Sequence, residues 1–514
     1  MPRTLAHSPV IVRSRAALDG RLVAGVLALA TTVAAALRLP FLGTQSIWFD
    51  ETYTIHVVRA GSLAGMWHRV GASESTPPLF YAATWIWTHA LGSWSAAGVR
   101  TVSALAIVAA VPVAYVALRR LAGVPAALAT AALLAVSPLL TWYALDARAY
   151  GLLVLTGLLS VWAFAAVLCD GATRRRFALW ALAATAAIWT HWFAGFLVLG
   201  EVVVLLWLRP RAWRATVAAS AAVLLALAPL IGLLREQTGD ARAAFIADSR
   251  LTDRVEQFAR QFAAGQNVPR TWLEGATLAL ALAALAVGVL LTARRALAAP
   301  GDRSPRPGLS RADAARALLG LTGVSLLVPL LLGATELYDR FDVRNVLFAW
   351  PLVAALAAPA LLRLRAVPLG ALLALGLATS LWGNLAWPYE NTDWRGAIAR
   401  VEARAPAQPV IAVGRLGIPV AALYLHRAPA TEPLAARRAW LVVEPARSPG
   451  HRELGPLDPP LVAQLLARFP QHAEQRVHGF RVIKLSAAAP VALDPSALPD
   501  AALFAGGGAR RPRG

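Results

Sequence analysis

Apolar runs of about twenty residues recur along the first ~390 positions of this chain, and they narrow the possible folds to one class. A helix needs about 20 residues to cross the ~30 Å hydrocarbon layer, and in lipid every backbone polar group must be satisfied internally. Eleven runs read as membrane helices, at approximately 22–42, 101–118, 123–143, 151–169, 178–190, 193–208, 215–234, 272–293, 317–334, 345–362 and 367–387. The chain is 58% hydrophobic and 15% charged, where soluble domains carry about 25% charged residues. The expected fold is therefore an α-helical polytopic membrane protein with about eleven transmembrane helices, followed by a small C-terminal α/β domain.

Residues 78–92 stand apart from these runs. About fifteen residues opened by Pro77-Pro78, with Trp85, Trp87 and His89, are short for a span and read as an interfacial helix. Charge supports leaving the segment outside. Loops on one side then carry 20 arginines over about 66 residues, and loops on the other 11 over about 114. The arginine-rich side is the cytoplasmic one by the positive-inside rule. The expected layout is a multi-pass protein of the cell membrane, with residues 1–21 cytoplasmic, a transmembrane domain over 22–388, and the C-terminal domain extracytoplasmic. Long outer loops fall at 43–99 and 235–271, and their aromatic residues suit ordered lids on the membrane face. The N-terminal apolar run has no small-residue cleavage site after it and reads as an anchor.

After Trp387-Pro388 the pattern changes. Residues 389–490 alternate helical and strand-like segments: 393–403 and 462–469 are helical, and 409–413, 439–443 and 480–485 are strands. Residues 491–514, rich in Ala, Gly, Pro and Arg, read as a disordered tail.

The net charge of +21 is almost all arginine, with Lys484 the one lysine. Its concentration in loops on one side points to membrane topology rather than to nucleic acid. Cys169 is the sole cysteine, so neither a disulfide framework nor a cysteine metal site is possible. A phosphate-binding Gly-rich loop, a metal-spaced Cys/His cluster and a Gly-x-Ser-x-Gly elbow are all missing from the sequence.

Three groups of ionisable residues fall at membrane boundaries on the same outer side: Asp50-Glu51, the Asp146-Ala147-Arg148-Ala149-Tyr150 segment, and His191-Trp192. Ionisable groups at such places are costly and call for a reason. Asp50 fits either a helix N-cap or a general base for an acceptor hydroxyl. Glu51 fits a partner standing behind it, or a first-turn acid suited to the helix dipole. Asp146 and Arg148 fit a solvated pair anchoring a helix end. Equally, Asp146 could orient an acceptor, a metal or a basic partner while Arg148 faces an anionic head group. Tyr150 fits an interfacial belt, His191 a structural or a binding role, and Arg344 either snorkels to the interface or holds a phosphate.

Together these pieces resemble the C-type (GT-C) membrane glycosyltransferases, specifically the family 39-like group of protein mannosyltransferases and the lipid A aminoarabinose transferase. The resemblance covers residues 22–388. It is carried by Trp48-Phe49-Asp50-Glu51, Pro77-Pro78-Leu79-Phe80-Tyr81, Ser137-Pro138 through Tyr150, Thr190-His191-Trp192, Arg344 and Trp350-Pro351. Two positions depart from the pattern: Ser75-Thr76 stand where a basic residue often precedes the prolines, and Asn345 stands where an aromatic is usual. The resemblance implies an inverting glycosyltransferase of the cell envelope that uses a polyprenyl-phosphate sugar donor. By position Asp50 would be the catalytic base and Asp146 the second-loop acid, with Glu51 counted among the catalytic residues beside them. A leaving phosphate needs no general acid but does need cations. Arg148, Arg344 and Arg270 are placed for that, with Tyr150 and His191 as further substrate contacts. A divalent cation held by Asp50 and Asp146 remains open, as do the sugar and whether the acceptor is protein, glycolipid or polysaccharide. The alternative reading is a membrane transporter or lipid flippase, which would carry its acids near mid-membrane.

Overall fold

A computed structural model describes residues 9–238, 246–266, 268, 271–298, 309–386, 392–404, 407–414, 416–445, 459–498 and 500–506. Helices run to residue 385. They are α1 (Pro9–Ala36), α2 (Phe49–Val58), α3 (Leu63–Ser73), α4 (Leu79–Leu91), α5 (Ala96–Leu118), α6 (Val124–Val136), α7 (Pro138–Ala144), α8 (Tyr150–Asp170) and α9 (Arg174–Thr190). Then follow α10 (Ala194–Leu208), α11 (Trp213–Ala226), α12 (Ile231–Thr238), α13 (Leu251–Ala264), α14 (Trp272–Leu297), α15 (Arg311–Ala334), α16 (Trp350–Leu361) and α17 (Val367–Leu385).

Among the described residues, seven helical stretches are long and apolar enough to cross a membrane, or eight if α6 and α7 form one span bent by 55°. The bend lies at Ser137-Pro138. Pro138 has no N–H to continue the ladder, and Ser137 Oγ accepts from Leu140 N at 3.3 Å to open the new helix. The other three of the expected eleven runs fall on shorter helices. Helices α9, α10 and α16 have 17, 15 and 12 residues. Each places large side chains in the protein interior (Trp180, Leu197 and Leu205, Leu356 and Leu361). A helix sheathed by other helices has no need to match the thickness of the lipid.

The expected outer loop at 43–99 is itself helical, comprising α2, α3 and α4, and α4 has 13 residues. Within the expected loop at 235–271 lies α13. Helix α1 is tied to α6 by the fully buried Arg38, whose Nη1 donates to Ala34 O at 3.0 Å and Ala135 O at 2.8 Å. Helices α5 and α8 touch backbone to backbone at Gly151, where a Cβ would stand 2.5 Å from Ser103 O. Ser103 Oγ in turn donates to Arg148 O at 2.9 Å, so this close crossing fixes the start of α8.

The C-terminal domain comprises α18 (Trp394–Glu402), β1 (Val410–Val413), α19 (Ile418–Leu425), β2 (Leu434–Val443), α20 (Pro459–Arg468), β3 (Gln471–Val477), β4 (Phe480–Leu493) and β5 (Ala501–Phe504). One sheet has the order β3-β4-β2-β1-β5, with β1 and β2 parallel and the remaining pairs antiparallel. Helices α18 and α19 cover one face around Trp394, Phe480 and Phe504, and α20 covers the other around Phe469. The expected boundary at 490 is too early. Strand β4 continues to Leu493, and β5 pairs with β1, setting the fully buried Phe504 opposite Val410. The run Ala501-Ala502-Leu503-Phe504 is apolar enough to fill that edge, although the surrounding composition reads as a tail. Of the expected tail, 499 and 507–514 lie outside the described residues.

Candidate functional site

The site is built around the first turn of α2. Trp48 is extended (φ −115°, ψ 177°) and flanks the helix, so Asp50 lies inside the first turn and does not serve as its N-cap. Glu51 reaches back instead, accepting from Trp48 N at 3.2 Å. Its carboxylate is fully buried against Arg100 of α5, which is also fully buried. Arg100 Nε donates to Oε1 and Nη2 to Oε2, both at 2.6 Å. Ala147 N adds a bond to Oε1 at 2.9 Å. The remaining guanidinium hydrogens go to the carbonyls of Leu42, Gln45 and Ser46 at 2.9–3.0 Å. A buried ion pair is tolerated only when its other lone pairs and protons are also bonded, and here they are. One pair therefore locks three segments together: the approach to α2, the start of α5 and the turn after α7.

That turn carries Asp146 and Arg148. Asp146 is buried and its Oδ1 accepts from Trp48 Nε1 at 3.1 Å. Burial, and then the nearby Glu51 charge, push its pKa above the ordinary carboxylate value, against the pull of Arg148. Arg148 is expected to face an anionic head group, but its Nη1 is engaged within the protein. It donates to Glu74 Oε1 at 3.0 Å, to Asp50 O at 3.2 Å and to Thr54 Oγ1 at 3.4 Å. Glu74, at the end of α3, is buried, and desolvation raises its pKa. The Pro77-Pro78 motif delivers Tyr81 to the same place, where its hydroxyl meets Thr76 Oγ1 at 2.9 Å.

The Asp50 carboxylate is 25% exposed, and its Oδ2 lies 3.7 Å from Arg344 Nη1. Arg344 is itself oriented by Asp342, whose Oδ1 is 3.4 Å from Nε and accepts from the Arg344 backbone N–H at 3.1 Å. Asn345 is spent on the local turn, donating to Arg340 O at 2.8 Å. His191 sits at the turn between α9 and α10 with its ring 6.1 Å from that of Tyr150. Its Nδ1 accepts from Phe193 N at 3.2 Å, which leaves Nε2 as the protonated nitrogen. Burial, helped by the charges of Arg344 and Arg148, pulls its pKa down to about 3, so the ring is a neutral donor at physiological pH.

The structure thus brings Asp50, Glu51, Asp146, Arg148, Tyr150, His191 and Arg344 into one neighbourhood. Arg270 lies outside the described residues. Among the described residues no group of three or more His, Cys, Asp or Glu side chains is suited to a metal ion. Asp50 and Asp146 would be its ligands, and both stand beside guanidinium groups. Such surroundings suit an anion better than a dication.

The sequence reading missed Arg100 and Glu74, and it also missed contacts from the C-terminal domain. Tyr424 OH of α19 accepts from Ile47 N at 2.7 Å. Arg395 N donates to Ser46 Oγ at 3.2 Å, Arg395 Nη1 donates to Gly43 O at 2.8 Å, and Nη2 bonds Thr44 O. The C-terminal domain thus rests on the segment that leads into Asp50. Arg100, a charge four residues into an apolar helix, was the available signal for the buried pair. Arg395 carried no signal of its own.

No family model matches the chain, and no curated protein matches it. Solved structures do. ArnT from Cupriavidus metallidurans bound to undecaprenyl phosphate is similar at 14% identity and TM-score 0.46, over 90% of this chain and 98% of that one. The Archaeoglobus fulgidus oligosaccharyltransferase in its apo form is similar at 15% identity and TM-score 0.47, over 75% of this chain and 58% of that one. Likeness at this level leaves the assignment to the residues of this chain.

Proposed function

We propose that the chain is an inverting glycosyltransferase of the GT-C type that moves a sugar from a polyprenyl-phosphate donor to an acceptor hydroxyl at the outer membrane face. The observation that carries this reading is the division of labour between two adjacent acids. Glu51 is consumed by Arg100 and acts as a positioning residue, which revises the catalytic role first expected of it. Asp50, one residue earlier, is open to solvent and faces Arg344 at 3.7 Å.

In the proposed reaction the acceptor oxygen attacks the anomeric carbon as its proton passes to Asp50. The bond from that carbon to the donor phosphate oxygen breaks, and polyprenyl phosphate departs with the electron pair. A phosphate leaving group needs no proton, so one base suffices for a single inverting displacement. The negative charge that develops needs cations already in place. Arg344 supplies one beside the base, and neutral His191 supplies an N–H. Asp146, with its raised pKa, serves best as a hydrogen-bonding group that orients substrate and holds Trp48. Arg148, tied to Glu74 through Nη1, contributes positive potential beside the base.

The outer-face assignment is supported by the arginine asymmetry of the loops. The site lies at the Tyr150 end of α8, the end away from the Arg119-Arg120 and Arg174-Arg175-Arg176 clusters. Transfer from radiolabelled polyprenyl-phosphate sugars by membranes holding wild-type protein tests the reading. Label that moves from no donor in a broad panel would sink it.

A further inference from the structure

At the other end of α8, on the order of 30 Å from the site by helix length, lies a cavity of about 410 Å³. Its polar half is made by Arg120, Arg175 and Arg176 around the single acid Asp170. Arg120 forks onto Asp170, with Nε–Oδ1 at 3.2 Å and Nη2–Oδ2 at 2.7 Å. Its third nitrogen, Nη1, is buried without a hydrogen-bond partner, a condition that costs free energy unless something outside the chain fills it. Arg175 makes no hydrogen bond or ion pair among the described residues. Arg176 Nη1 is held by the carbonyls of Asp170 and Gly171 at 2.5 and 3.0 Å. These groups stand at the start of α9, where Thr173 caps Arg176 N at 3.3 Å and the first-turn N–H groups add positive potential. The net charge of the cavity wall is positive by two.

The other half of the wall is apolar, formed by Trp162 and Ala166 of α8 and Leu179 of α9. A soluble anion would use only the guanidinium half. An amphiphile uses both, with its phosphate at Arg120 and Arg175 and its chains along Trp162 and Leu179. Basic pockets between membrane helices bind anionic head groups in this way. We propose that this cavity binds the phosphate head group of an anionic phospholipid from the leaflet at that end of the bundle, separately from the transfer site.

Native mass spectrometry of the full chain in detergent, titrated with dioleoylphosphatidylglycerol or dioleoylphosphatidylcholine, tests this. Wild type is expected to retain one phosphatidylglycerol at roughly tenfold lower concentration than phosphatidylcholine, with millimolar inorganic phosphate not displacing it. Each basic group near a membrane surface is worth about fivefold in affinity. Arg175→Gln should therefore weaken phosphatidylglycerol binding about fivefold, and Arg120→Gln with Arg175→Gln by tenfold or more. Arg363→Gln, outside the cavity, should leave it unchanged. Arg175 has no partner to lose among the described residues, so the single variant stays informative even if the double variant folds poorly. Equal retention of the two lipids would overturn the proposal, as would phosphatidylglycerol binding unchanged by Arg175→Gln. Displacement by inorganic phosphate would overturn it in favour of a free-anion site.

Discussion

The pair of Glu51 and Arg100 separates position from chemistry, and a double-mutant cycle can test that separation. Glu51→Gln leaves the Arg100 guanidinium buried without its counter-charge, in a place where neither side chain touches solvent. Removing one partner of such a pair costs about 3–5 kcal/mol. Two of the four bonds that Glu51 accepts come from the guanidinium, and hydrogen bonds to charged groups are worth about 1.5–3 kcal/mol each, a sum of about 3–6 kcal/mol that overlaps this range. Arg100→Gln should cost as much, because it strands the carboxylate. In the double variant neither charge of the pair is left, and the amide oxygen introduced by Glu51→Gln can still accept from Ala147 N. The double variant should therefore be more stable than either single, which requires a coupling of about 3 kcal/mol or more, at the top of the range for residues in contact. The assay is hydrogen exchange of the Leu42–Glu51 segment in full-length protein, run beside sugar transfer. If Glu51 only positions, transfer recovers with protection in the double variant. A double variant with protection restored and transfer still absent would refute this and make Glu51 a chemical participant.

Arg344→Ala should lower the rate of transfer by about 10²–10³-fold, the usual cost of removing one preorganised group that stabilises developing negative charge, with partial rescue by Arg344→Lys; steady-state turnover of the labelled donor reads this. Tyr424→Phe leaves the Ile47 N–H without its 2.7 Å partner, at a cost of about 1–3 kcal/mol, and should raise hydrogen exchange at residues 46–48 while lowering transfer, although Tyr424 belongs to the C-terminal domain. That domain should also weaken as pH rises. Burial raises the Glu444 pKa from 4.5 to about 7, so the folded form binds the proton more tightly than the unfolded one. Its contribution is fully present below pH 4.5 and is lost as pH climbs through about 7, amounting to about 3 kcal/mol in all. Protection of Val410–Val413, corrected for intrinsic exchange, should fall over that range in wild type and hold level in Glu444→Gln.

The site was legible where its signals were local. Asp50, Asp146, His191 and Arg344 each stand where a costly ionisable group meets a helix end, and folding brings those ends together. What the sequence withheld was pairing. Nothing near Glu51 announces that its partner lies 49 positions away at Arg100, or that Arg148 closes on Glu74. Both partners alter the chemistry assigned to their neighbours. Three of the expected spans, α9, α10 and α16, are short, and much of their surface packs against other helices rather than lipid. In the C-terminal domain, β3 was invisible because its sequence, Gln471-His472-Ala473-Glu474-Gln475-Arg476-Val477, is almost wholly polar. It is an exposed edge strand, held by backbone pairing to β4 rather than by burial.

Asp50 is proposed as the base that activates the acceptor. The most direct measurement compares transfer from polyprenyl-phosphate sugars by wild type and Asp50→Asn in the same membranes, with equal folded protein verified by protection of α2. Wild type should transfer label and the variant should lose at least 10²-fold, since a positioned base supplies about 10²–10⁴-fold. Full transfer by a folded Asp50→Asn protein would contradict it.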